Sequence, residues 1–170
     1  YPAKLAHGHV TWLIRNDVKT IFYPALFYER NEFEEANNHY NCPIVTSYSE
    51  NIKNNVEEIG RGEITFRNPF MSFKSISSLN TALVAEFVEI DPALIKAAVE
   101  KGWNELAKAR KDIQLKGEEV LKYMETHNKR GIVLAGRPYH VDPEINHGIP
   151  ELITSYDIAV LTEDSISHLA

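Results

Sequence analysis

The run Gly136-Arg137-Pro138-Tyr139-His140 gathers several kinds of chemistry into one short stretch. Glycine lets the backbone turn or approach a ligand closely. Arg137 offers a planar fork suited to phosphate or carboxylate. Tyr139 adds a hydroxyl and His140 an ionisable imidazole. Gly136, Arg137, Tyr139 and His140 therefore read as a substrate or anion loop. The plainer reading is a tight strand-to-helix turn, with Arg137 paired to an acid such as Glu163 or Asp164. No residue is assigned a catalytic role from the sequence.

His39 and Cys42 form a second pair, three residues apart in a polar stretch. A thiol near an imidazole can become an activated thiolate or a metal ligand. With no second cysteine nearby, a metal would need ligands from elsewhere. The alternative is a free cysteine packed at a strand start. His7 and His9 lie two apart on a segment that reads as helix, so they point to nearly opposite sides and cannot share one ion. A further arrangement, His39, His140 and His147 converging on one ion, would make a metal hydrolase.

These residues need elements to hold them. Ala3 to Arg15 has the three-and-four apolar spacing of an amphipathic helix. Thr20 to Tyr23 is a short apolar run stopped by Pro24, which predicts a buried strand. Residues 29–41 read as loop. Pro43 opens an expected strand, Ile44 to Ser47. Ser47 and Glu50 then have capping-box spacing for a helix with Ile52, Val56 and Ile59 on its inner face. Ile64 to Phe66 predicts a further strand, ended by Asn68-Pro69. Ser75 to Phe87 predicts a helix.

Asp91-Pro92 is a strong helix start, because proline at the first helical position loses no needed bond. The apolar spacing then runs to about His127, a helix roughly 50 Å long at 1.5 Å per residue. Gly117 could bend it. Gly131 to Ala135 reads as a strand, Gly136 to His147 as a turn-rich loop, residues 149–153 as a short helix and Ile158 to Leu161 as a strand. Such strand–helix–strand units are parallel and right-handed. Ligands of open parallel sheets bind beyond the carboxyl ends of strands. Three expected ends stand out: Tyr23-Pro24, Tyr48-Ser49 and the loop from Gly136.

The fold class is therefore α/β: a Rossmann-like parallel sheet of short strands flanked by helices, with one long helix. Residues 1–170 are expected to form one compact body, a fragment of a larger protein. A finer division gives a first lobe at 1–88, a bridging helix at 89–127 and a strand–helix–strand unit at 128–170. Hydrophobic residues make up 44% of the chain, enough for a core. The net charge of −6 argues against a general nucleic-acid binder, which needs a basic surface to displace counterions. No apolar run reaches the roughly 18 residues that suggest a membrane span. The single cysteine suits a reducing, cytoplasmic setting.

Several stretches together resemble one family. They are Tyr1-Pro2-Ala3-Lys4 with His7-Gly8-His9, Phe22-Tyr23-Pro24, and Asn41-Cys42-Pro43-Ile44-Val45-Thr46-Ser47-Tyr48. The loop from Gly136 to His140, Asp142 to Gly148, and Ala159 to Asp164 complete the set. The chain resembles the acyl-CoA dehydratase activase-related proteins, also known as CoA-substrate-specific enzyme activases. The resemblance lies with their region similar to 2-hydroxyacyl-CoA dehydratase and benzoyl-CoA reductase subunits, not with their ATPase module.

That resemblance implies a role in ATP-driven iron–sulfur electron transfer for CoA-thioester chemistry. It implies a [4Fe-4S] cluster in the full-length parent, with Cys42 as a ligand and the Arg137–His140 loop facing the cluster or substrate cleft. The implied partners are a CoA thioester or electron-transfer protein and the rest of the parent chain. In the family a cysteine precedes Tyr-Pro-Ala-Lys, and here the sequence begins at Tyr1. The 170 residues alone are thus expected to hold no stable cluster and to be inactive by themselves. The alternative is a non-catalytic α/β docking or regulatory module of the parent.

Overall fold

The computed structural model describes residues 2–31 and 35–169, apart from the side chains of Pro2, Pro138 and Tyr139. Two compact units emerge, Tyr1–Lys101 and Gly102–Ala170. The fold is α/β, with short parallel strands, flanking helices and one long helix.

The first unit opens with helix α1 (Pro2–Arg15), whose inner stripe includes Ala6, Val10 and Leu13. Strand β1 (Thr20–Phe22) follows, then β2 (Ala25–Tyr28) after Tyr23-Pro24. Three short helices come next: α2 (Pro43–Thr46), α3 (Tyr48–Asn55) and α4 (Glu57–Gly60). Strand β3 (Thr65–Arg67) pairs in parallel with β1, and β4 (Phe70–Ser72) pairs in parallel with β2. Val10, Ile21, Ile52, Val56, Ile59 and Ile64 form the buried cluster beneath β1 and β3. Helix α5 (Ile76–Glu86) is capped by a reciprocal Ser75–Ser78 pair, which satisfies two otherwise orphaned amides.

The long helix α6 (Pro92–Thr126) begins in the first unit and continues into the second. Asp91 caps it through its side chain, accepting from the Ala93 amide at 2.8 Å. In the second unit β5 (Arg130–Leu134) pairs in parallel with β6 (Ile158–Thr162). Between them lie a 3-10 turn (Pro138–Val141), α7 (Pro143–Asn146) and α8 (Ile149–Ser155). Helix α9 (Glu163–Ile166) and a last 3-10 turn (Ser167–Leu169) close the chain.

Two expectations are corrected. Ile44-Val45-Thr46 is not a strand; these β-branched residues lie in α2. Pro43 at the first helical position sets the helical φ, and the Thr46 hydroxyl is drawn to the Leu26 carbonyl at 3.1 Å. That tertiary bond outweighs a weak β propensity. The Ser47–Glu50 capping box is also absent. Ser47 has helical backbone angles, φ −82° and ψ −6°, whereas a capping residue is extended. Its hydroxyl donates to Ile44 instead, and Glu50 turns to Asn68. The expected strand end at Tyr48-Ser49 therefore does not exist. Strands β2 and β4 went unforeseen, because each follows a proline that reads as a stop.

Candidate functional site

Cys42 sits at the edge of β2. Residues 39–41 run antiparallel beside that strand: Glu29 N–H donates to the His39 carbonyl at 2.7 Å, and Asn41 N–H to that of Phe27 at 3.0 Å. The Asn41 side-chain amide donates to the Leu26 carbonyl at 3.1 Å and to Glu29 at 2.6 Å. Thr46 reaches the same Leu26 carbonyl from the other side of Cys42. The two donors thus pin the Cys42 backbone to one peptide group while its thiol stays exposed. Asn41 and Thr46 were not foreseen as positioning residues. The Asn41–Thr46 bracket around Cys42 was the available signal, but the strand reading of 44–47 hid it.

His39 packs its ring against Tyr28, with centroids 5.9 Å apart. Beside Cys42 lies a groove of about 530 Å³, walled by Phe27, Tyr40, Pro43 and Phe70, with Asn41 and Glu50 at its polar points. Nearby, at the end of β1, burial raises the Tyr23 pKa above the ordinary phenol range, with Tyr48 adding to the rise.

The Gly136–His140 loop lies in the second unit, directly past the carboxyl end of β5. It closes on itself. The Arg137 amide donates to His140 Nδ1 at 2.9 Å, and the His140 amide donates to the Arg137 carbonyl at 2.8 Å. A nitrogen that accepts an amide hydrogen carries no proton, so this geometry leaves the ring proton on Nε2. Gly136 is required by clearance: a Cβ there would lie 2.5 Å from His140 Nδ1. Arg137 is exposed and, among the described residues, forms no ion pair with Glu163, Asp164 or any other acid. The plainer reading of a turn pinned by such a pair therefore loses its partner. The Tyr139 side chain lies outside the described residues.

Further along, Asp142 caps α7 through the amides of Glu144 and Ile145. The buried Asn146 bridges the Val141 carbonyl and the Gly148 amide. His147 adopts a left-handed conformation, φ 54°. Its place in the motif is therefore a tight turn ahead of α8.

A [4Fe-4S] cluster takes several thiolate ligands. Cys42 is the single cysteine of the chain. Among the described residues, no group of three His, Cys, Asp or Glu side chains could hold a metal ion. These residues do not make a cluster site; Cys42 fits only as one ligand of a site completed elsewhere. Of the three histidines considered as a metal site, His39 belongs to the first unit and His140 and His147 to the second.

Fold and site together define an α/β domain with short parallel strands, one edge thiol and a strand-end arginine loop. Comparison with known families gives this class its place. The chain belongs to the family described as the CoA enzyme activase uncharacterised domain, whose profile matches residues 1–166. No curated protein and no solved structure matches it. No helix among the described residues is long and apolar enough to cross a membrane.

Proposed function

We propose that this domain serves a CoA-substrate-specific activase system of the cytoplasm, in ATP-driven iron–sulfur electron transfer for CoA-thioester chemistry. The family match supports the system. One observation carries the residue-level reading: the exposed Cys42 lies between Asn41 and Thr46, whose side chains both donate to the Leu26 carbonyl of the neighbouring strand. In this reading Cys42 is one thiolate ligand of a cluster, and the other ligands come from outside these residues. The chain's own contribution is to fix the position of that thiol.

The loop at Arg137 is the second half of the proposal. An exposed guanidinium with no acidic partner among the described residues, directly past a strand end, suits a carboxylate or phosphate of the substrate. Gly136 and His140 hold the backbone that presents it, and Tyr139 is included for its place in the sequence motif. The test is Cys42→Ser in the full-length protein, reconstituted anaerobically with iron and sulfide. Iron content and visible cluster absorbance should both fall. Unchanged values would remove the ligand role.

A docking role is the second reading, and the groove beside Cys42 favours it. Its aromatic walls include Phe70, which is 61% exposed. If Cys42→Ser leaves iron content intact but weakens association with the remaining parent domain, docking becomes the better account.

A further inference from the structure

Strands β1 and β2 follow one line, and β3 and β4 follow another. The register between the lines is the same on both sides of the gap: Phe22 faces Arg67, and Ala25 faces Phe70. Each line is cut by an X-Pro pair, Tyr23-Pro24 in one and Asn68-Pro69 in the other. Across the gap the amides of Tyr23 and Ala25 still donate to the carbonyls of Arg67 and Pro69, at 2.8 and 2.9 Å. The return bond is missing. In a parallel ladder the Tyr23 carbonyl takes its hydrogen from residue 69, and proline has none. Among the described residues no other donor reaches that carbonyl.

The packing breaks at the same place. The apolar cluster around Val10, Ile21 and Ile52 holds the β1–β3 half, with Tyr23 and Phe66 at its margin. Ala25 and Met71 are buried in the β2–β4 half, yet they lie outside that cluster. A gap in hydrogen bonding and a division of the core thus coincide at Pro24 and Pro69. These are independent features, since one concerns the backbone and the other the side chains.

We infer that Pro24 and Pro69 form a hinge across the parallel ladder. The half that swings comprises β2, β4, the paired residues 39–41 and α2. It carries Cys42 and the aromatic groove. The pivot is held from α3, where Glu50 accepts from the Asn68 side-chain Nδ2 at 2.5 Å and Lys53 donates to the Asn68 side-chain Oδ1 at 3.2 Å. Opening at this hinge re-aims the Cys42 edge without disturbing the cluster under β1.

Amide hydrogen exchange in the intact protein tests the hinge. The protected amides of the outer half include Glu29, Asn41 and Phe73; those of the inner half include Tyr23 and Thr65. The outer group should exchange together, about tenfold or more faster than the inner group, as separate cooperative units do. Pro69→Ala supplies the missing N–H and should slow the outer group towards the inner rates, leaving the inner group unchanged. One common rate for both halves of the wild-type protein overturns the hinge, whether or not the variant folds. So does a folded Pro69→Ala protein in which the outer group exchanges as fast as before.

Discussion

Gly136 shows how much one residue reading can carry. Its type and place after a strand indicated a close approach, and the structure supplies the group that approaches: the ring of His140. The sequence could not show that the neighbour belongs to the same loop rather than to a ligand. Gly136→Ala should push the ring away and break the bond from the Arg137 amide to Nδ1. The expected loss is about 1 kcal/mol, the worth of one ordinary hydrogen bond. Urea unfolding measures it, and the His140 ring nitrogen shifts report whether Nδ1 still accepts. Cys42 was legible as a lone thiol of interest. Its restraint by Asn41 and Thr46 was not, because both bonds end on Leu26, in a strand that the preceding proline concealed.

At the level of elements, the long helix was the plainest to read. Asp91-Pro92 marks its start, and thirty-odd residues of sustained apolar spacing outweigh any local ambiguity. Gly117 was read as a potential bend. The structure gives it a different reason: a Cβ there would run into the backbone carbonyl of Ser165 in α9. At the next residue, Glu118 accepts from His168 Nε2 at 2.9 Å, which ties the last 3-10 turn to α6. That bond, with Lys111 close by, holds the Glu118 carboxyl below the usual carboxylate range, although partial desolvation works against it. A lowered folded pKa stabilises the fold above the usual carboxylate range, and this contribution is lost as pH falls through the lowered value. On acidification the amides of 167–169 should therefore lose exchange protection before those of β5. Glu118→Gln should remove that pH dependence. If the variant and wild type lose protection over the same pH range, the tie does not depend on the carboxylate.

Strand reading failed where proline and β-branched residues gave opposite advice. Pro24 and Pro69 were read as stops, yet the paired lines resume in the same register just beyond both, shifting by one residue only between Leu26 and Tyr28. Ile44-Val45-Thr46 looked like a strand because of side-chain shape alone. Proline before it and a tertiary hydrogen bond after it made a helical turn. In both cases the deciding partner lies more than fifteen residues away in sequence, which local propensity does not register.

For the molecule as a whole, the α/β class and the family were legible from scattered short motifs, and the match over residues 1–166 confirms the family. The candidate residues were less legible, because Cys42 lies in the first unit and the Arg137 loop in the second. The central claim is that Cys42 is where this domain meets a metal cluster. The most direct test is the rate of Cys42 alkylation in the intact protein, measured before and after anaerobic reconstitution with iron and sulfide. The account predicts rapid labelling of the exposed thiol before reconstitution and strong protection afterwards. Labelling at the same rate in both states, in protein shown to have gained iron, would contradict it.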